Sequence, residues 1–214
     1  RSPTVTGVQT CALPISEEPD PIAMVRALSP SNTQDARLIL DMGESSTDLA
    51  VVYGGVPRLI RTIPTGLSSL VRAAVQNLSI QDDQARQFIL KFGLAADRLD
   101  GQVLRAIDPT LDNFASELVK SVKFFQTRYP NISVPGILLS GFGSAIPQLD
   151  NYVTTKSGIQ SAVADPWQKV QVPQADQQQL APIASEFATA VGLAQRSKDR
   201  KSTRLNSSHG RRSR

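Results

Sequence analysis

Three strand-length apolar runs follow one another with no helix between them: Arg37–Asp41, Asp48–Tyr53 and Arg58–Ile63. Alternating or continuous apolar runs of this length, bounded by turn residues, predict strands. Gly54-Gly55 joins the second run to the third, a tight hairpin signal. The first two are joined differently. From Asp41 to Asp48 the chain reads Asp-Met-Gly-Glu-Ser-Ser-Thr-Asp. An acid, a glycine and small hydroxyl residues at a hairpin tip admit two readings. One is a plain turn, with Asp41 ending a strand. The other is a cradle, in which the amides of a tight turn converge on an anion, glycine permits close approach, and the aspartate holds Mg²⁺ directly or through water.

The rest of the chain alternates. Pro21–Leu28 predicts a short helix ahead of the strands. Leu67, Leu70, Val71, Ala74 and Leu78 recur at helical spacing. Ser79 ahead of Ile80-Gln81-Asp82-Asp83 predicts a capped second helix ending near Gly93. Leu111, Phe114, Leu118, Val122 and Phe125 line one face of a longer helix predicted over Asp108–Tyr129, stopped by Pro130. Gly136–Leu139 reads as a buried strand running into Ser140-Gly141-Phe142-Gly143, whose amides would open the next helix. A helix over Ala145–Lys156, a strand over Gln160–Ala164, a polar loop over Gln174–Leu180 and a closing helix over Pro182–Arg196 complete the pattern. With an insertion at about residues 79–133 set aside, the order is β-β-β-α, then β-α-β-α. That is the ribonuclease-H-like layout, from which each half of an actin-like fold is built. The expected fold class is α/β, a mixed sheet with a three-strand meander plus an inserted helical subdomain.

The ends have another character. Val5–Ile15 and Asp199–His209 read like the in-frame translation of a sequencing adapter and of its complement, so residues 1–15 and 199–214 are expected to be tails and 16–198 the domain. This matters for charge. The whole chain of 214 residues carries 23 basic and 19 acidic side chains. Seven of the basic and one of the acidic residues lie in the tails, which leaves 16 against 18 and a net charge of −2 for the interior. The basic balance expected of a nucleic-acid binder is therefore not a property of the domain. Cys11 and His209 are the single cysteine and histidine. The interior thus has no thiol or imidazole for catalysis, disulfides or metal ligation. Its chemistry rests on carboxylates, hydroxyls, backbone amides and a hard cation. No run of about 18 apolar residues is present to span a membrane.

"DMGESSTDLAV" resembles the second phosphate loop of the actin, chaperone and hexokinase superfamily, and "LLSGFGSAIPQL" resembles its adenosine loop. "RTIPTGLSSL", "ASELVKSVKFFQTRYP" and "APIASEFATAVGLAQR" are similar to the type IV pilus assembly family PilM, relatives of the division protein FtsA. The resemblance covers the interior but only the carboxyl-terminal part of the family's length. It implies ATP and Mg²⁺ as cofactors. Asp41 would orient the metal, Gly43, Glu44, Ser45 and Ser46 would face the β/γ-phosphates, and Gly141, Phe142, Gly143 and Ser144 would approach the adenosine. Asp20, in a stretch similar to the family's connecting helix, would orient water. The residues also depart from the pattern on the base side. Relatives carry Ala-Glu-x-x-Lys in the insertion helix, where this chain has Ala85-Arg86-Gln87-Phe88-Ile89. Phe142 stands where a second glycine is common, and its ring would either stack on a base or block it.

The implied function is a cytoplasmic, nucleotide-binding scaffold of type IV pilus assembly, held at the inner membrane through pilus assembly proteins, with no nucleic-acid partner and at most slow ATPase activity. Two alternatives use the same residues: an FtsA-like division protein, and a scaffold that keeps the fold without the nucleotide. A small-molecule kinase of the same superfamily needs a carboxylate base and a substrate pocket in the half of the fold that is missing here, and nothing present supports it.

Overall fold

A computed structural model describes residues 18–29, 35–173, 175, 176, 180, 184 and 186–196. Both stretches read as tails, 5–15 and 199–209, lie outside the described residues. Helix α1 (Asp20–Leu28) leads into a meander of β1 (Arg37–Met42), β2 (Thr47–Tyr53) and β3 (Val56–Ile63). Helices α2 (Leu67–Leu78), α3 (Asp82–Phe92) and α4 (Gln102–Arg128) follow, then β4 (Gly136–Gly141), a single turn α5 (Phe142–Ala145), α6 (Leu149–Ser157) and β5 (Gln160–Val163). A 3₁₀ turn (Pro166–Lys169) and α7 (Ala188–Ala194) close the order.

The strands form one mixed sheet in the order β3-β2-β1-β4-β5. The meander is antiparallel, and β4 runs parallel to β1, with Leu38 beside Ile137 and Met42 beside Gly141. The ribonuclease-H-like layout calls for Ile137–Leu139 to lie parallel to the first strand, and it does. Strand alternation then sorts the side chains. Leu38, Leu40 and Met42 join a large buried cluster with α2, α3, α4 and α6. Ile39, Ala50 and Val52 face the other way, onto Met24, Val25 and Leu28 of α1 and Val191 of α7. By the same period of two, Asp41 and Asp48 sit on the α1/α7 face.

Four sequence expectations change. Ser79 does not cap α3. It ends α2 in the left-handed conformation (φ 54°), and Gln81 precedes α3. The long helix begins at Gln102, not Asp108, because Pro109 is accommodated within it. The helix expected over Ala145–Lys156 is interrupted: Pro147 separates α5 from α6, and Gln148 takes φ 64° to restart the chain. Of the expected polar loop at Gln174–Leu180, the described residues Ala175, Asp176 and Leu180 are helical. The inserted helices share their apolar side chains with the sheet, Phe114 and Leu118 lying in the same cluster as Leu40.

Helices α1 and α7 cross at close range through Gly192, where a β-carbon would sit 1.8 Å from the carbonyl oxygen of Ala23. Arg26 donates to the Gly192 carbonyl at 2.7 Å and pairs with Glu18. The final carbonyls of α1, which no helical amide can reach, accept from Gln168 (Ala27 and Leu28) and from Lys169 (Arg26).

Candidate functional site

The parallel register of β1 and β4 brings the two glycine-bearing strand ends together. Met42 and Gly141 are neighbours, and Gly141 adopts φ 61° and ψ −147°, a region suited to glycine. A β-carbon there would lie 2.4 Å from the Met42 carbonyl oxygen and 2.7 Å from Asp41 Oδ1. The second loop can therefore touch the first only without a side chain at this position. Ser144 Oγ donates to the Gly141 carbonyl at 2.7 Å and fixes the start of α5, while Gly143 is buried against Met42.

The turn itself is tied down. The Gly43 amide donates to Ser46 O at 2.8 Å, Leu67 N donates to Gly43 O, and the Ser68 amide and hydroxyl both donate to Glu44 O. Gly66 makes room for this, since a β-carbon there would be 2.6 Å from Glu44 O. Thr47, fully buried, donates to the Thr65 carbonyl. The start of α2 thus supports the turn from below. Among the described residues the Glu44 and Ser45 amides find no protein acceptor, the condition an anion cradle requires.

Asp41 and Asp48 stand directly opposite across β1 and β2. Like charges in that position repel. Thr62 Oγ1 donates to Asp48 at 2.7 Å. The Asp41 carboxyl is pushed above its ordinary pKa, first by burial and then by Asp48 and Asp20, with the neighbouring Ser140 hydroxyl opposing the shift. Asp20 is exposed at the start of α1 and contributes through charge. No group of three or more His, Cys, Asp or Glu side chains poised around one point occurs among the described residues. Asp41 and Asp48, paired across the strand end, are donors of the type a hydrated hard ion takes together with phosphate oxygens. They do not fit a fully protein-caged ion.

A cleft of about 510 Å³ opens over these groups, lined by Asp41, Gly43, Gly141, Phe142, Arg86, Thr189 of α7 and Glu186 just ahead of that helix. A larger hollow of about 770 Å³ lies beside β5, but its one carboxylate, Asp165, is engaged in holding the Trp167 amide. The smaller cleft is the one lined by the sequence-predicted residues Asp41, Gly43, Gly141 and Phe142. On its outer side Arg86 reaches from α3 and forms a two-pronged ion pair with Glu44, at 2.9 and 2.7 Å. The same guanidinium covers the Phe142 ring, 5.3 Å from its centre. The ring expected to stack on a base or block it thus already has an arginine cation over it.

The predicted residues Asp41, Gly43–Ser46 and Gly141–Ser144 come together, and Asp20 stands at the margin. Asp48, Glu186 and Thr189 were not singled out. A turn over Gly43–Ser46 places Asp48 opposite Asp41, so that residue was readable from hairpin register. Glu186 and Thr189 reach the cleft only through the distant packing of α7 on α1, which leaves no local signal.

A five-stranded mixed sheet with a meander, crossed terminal helices and two abutting glycine loops defines one half of an actin-like protein. The family model for the type IV pilus assembly protein PilM matches residues 14–198, and the chain belongs to that family. Among solved structures, a PilM-PilN type IV pilus biogenesis complex is similar at 26% identity and TM-score 0.72, covering 85% of this chain and 52% of that one. The chain therefore spans about half the length of that relative. The ethanolamine utilization protein EutJ from Carboxydothermus hydrogenoformans (19% identity, TM-score 0.57, 82% and 52% covered) shares the fold. So does MreB5 of Spiroplasma citri bound to ADP (17% identity, TM-score 0.58, 98% and 69% covered). No curated protein matches the chain.

Proposed function

We propose that this chain is the carboxyl-terminal half of a nucleotide-responsive scaffold in type IV pilus assembly, working at the cytoplasmic face of the inner membrane through pilus partners. The contact between the Asp41 strand end and the Gly141 loop carries the reading, because it joins an under-compensated carboxylate to a turn with open amides. The similar PilM-PilN complex supports a pilus partner of the PilN kind. Among the described residues no helix is long and apolar enough to cross a membrane, in keeping with attachment through partners.

A bound Mg²⁺ would neutralise phosphate charge. Asp41 would hold the ion through its waters. Glu44 and Ser45 offer amides, with Gly43 giving clearance, and Gly141 and Gly143 let the backbone approach the nucleoside. Asp20 orients water from the rim. An exposed carboxylate is a weak base, so turnover is slow and the nucleotide acts mainly by its presence. Titrating the isotope-labelled chain with Mg²⁺-ATP tests this: amide shifts at Gly43–Ser46 and Gly141–Ser144 are expected, lost with Asp41→Ala. Shifts confined to other surfaces would refute the site. Co-purification with a PilN-like pilus protein tests the partner.

The Glu44–Arg86–Phe142 bridge favours a second reading, a scaffold that keeps the fold without the nucleotide. The same titration decides, since that reading expects no saturable shifts.

A further inference from the structure

We propose that Arg86 is a gate on the base side of the cleft: lying over the Phe142 ring and clamped by Glu44, its guanidinium occupies the side of the ring that a base would need. The inference rests on the nucleotide reading above and specifies what the cleft selects. Three elements meet at this one side chain. Glu44 belongs to the turn after β1, Arg86 to α3 and Phe142 to α5. A guanidinium is flat, and one face of the Phe142 ring is covered by it. A heterocycle stacking on that face must first move Arg86 and break the pair with Glu44.

The pair is built for this. Both side chains remain partly exposed, 37% for Arg86 and 49% for Glu44, so water can replace each partner. Exposed pairs are individually weak, and a cation over a ring adds a comparable amount. A lock of that strength biases the cleft without sealing it. The phosphate side carries no such obstruction: the Glu44 and Ser45 amides remain open on the turn, whose backbone is held independently by α2. The cleft thus accepts the polyphosphate end readily and the base at a penalty.

Two probes separate the ends of the ligand: Mg²⁺-ATP and Mg²⁺-tripolyphosphate, titrated into the labelled chain and followed at Gly43–Ser46 and Gly141–Ser144. The readout is the ratio of the two affinities. Arg86→Ala should raise the ATP-to-tripolyphosphate ratio roughly tenfold, the loss of one cation–ring contact and one exposed pair together. Glu44→Gln should move it the same way by less, and tests the gate should Arg86→Ala fold poorly. An unchanged ratio overturns the gate and leaves the phosphate site standing. A lowered ratio also overturns it, making Arg86 a base-stacking ligand. If neither probe binds any of the three chains, the nucleotide reading falls and the gate with it.

Discussion

Asp41 and Asp48 face each other across β1 and β2 on the side of the sheet that carries the cleft. The opposition gives a pH-dependent prediction. Asp41 has a raised pKa in the folded chain, mainly from burial. The folded state therefore holds this proton more tightly than the unfolded state. Its ionisation costs stability, beginning as pH rises past about 4, the ordinary carboxylate value, and complete above the raised one. Asp41→Asn should stabilise the ligand-free chain by about 1 kcal/mol at neutral pH and give no gain below about pH 4. Thermal melts across pH 4–8 check this. The same variant should lose Mg²⁺-dependent nucleotide shifts.

Glycine at 141 and glycine at 158 should behave differently. Gly158 has φ 71° with nothing near a β-carbon, so alanine there costs about 1 kcal/mol of left-handed strain. Gly141 adds a backbone clash at 2.4 Å. Gly141→Ala should cost about 3 kcal/mol or more. Urea unfolding of the two variants side by side measures the difference.

Gly192→Ala should separate α7 from α1. No side-chain rotation relieves a contact with the Ala23 carbonyl. A loss of about 2–4 kcal/mol is expected, together with faster hydrogen exchange at amides of α1. Equal exchange in both chains would show that the crossing tolerates a methyl.

Pro109→Ala should stabilise the chain. Proline inside α4 removes one helical hydrogen bond, and alanine restores the donor. A gain of about 1–3 kcal/mol is expected, read as a raised melting temperature.

The meander was legible because strands of period two between turn residues carry their signal locally; its register, with Asp48 opposite Asp41, came from the structure. The neighbourhood of Asp41 and Gly141 was legible one step further out, since a parallel β4 has to lie beside β1. Pro109 misled the reading for a plain reason. A proline after an aspartate looks like a helix start, and only the packing of Val103, Ala106 and Ile107 extends α4 upstream of it. Arg86 was visible as a departure from its family's pattern, but the pattern gives residue types and not partners. Its pairing with Glu44 joins residues 42 positions apart, and geometry alone reveals it. Gly192 gave no signal at all, because its requirement is set by a carbonyl at the other end of the chain.

The α1–α7 crossing at Gly192 has consequences for folding order. The Arg26–Gly192 hydrogen bond joins residues 166 positions apart, whereas the meander closes between neighbours. Closing long loops is entropically slower than closing short ones. The hairpins and the α2–α4 layer can therefore assemble first, and α7 docks last. Until it does, Met24, Val25 and Leu28 on α1 and Ile39, Ala50 and Val52 on the sheet lack part of their cover. On a ribosome this interval lasts until α7 has emerged, and exposed apolar surface of this kind is where a nascent chain recruits a chaperone or aggregates.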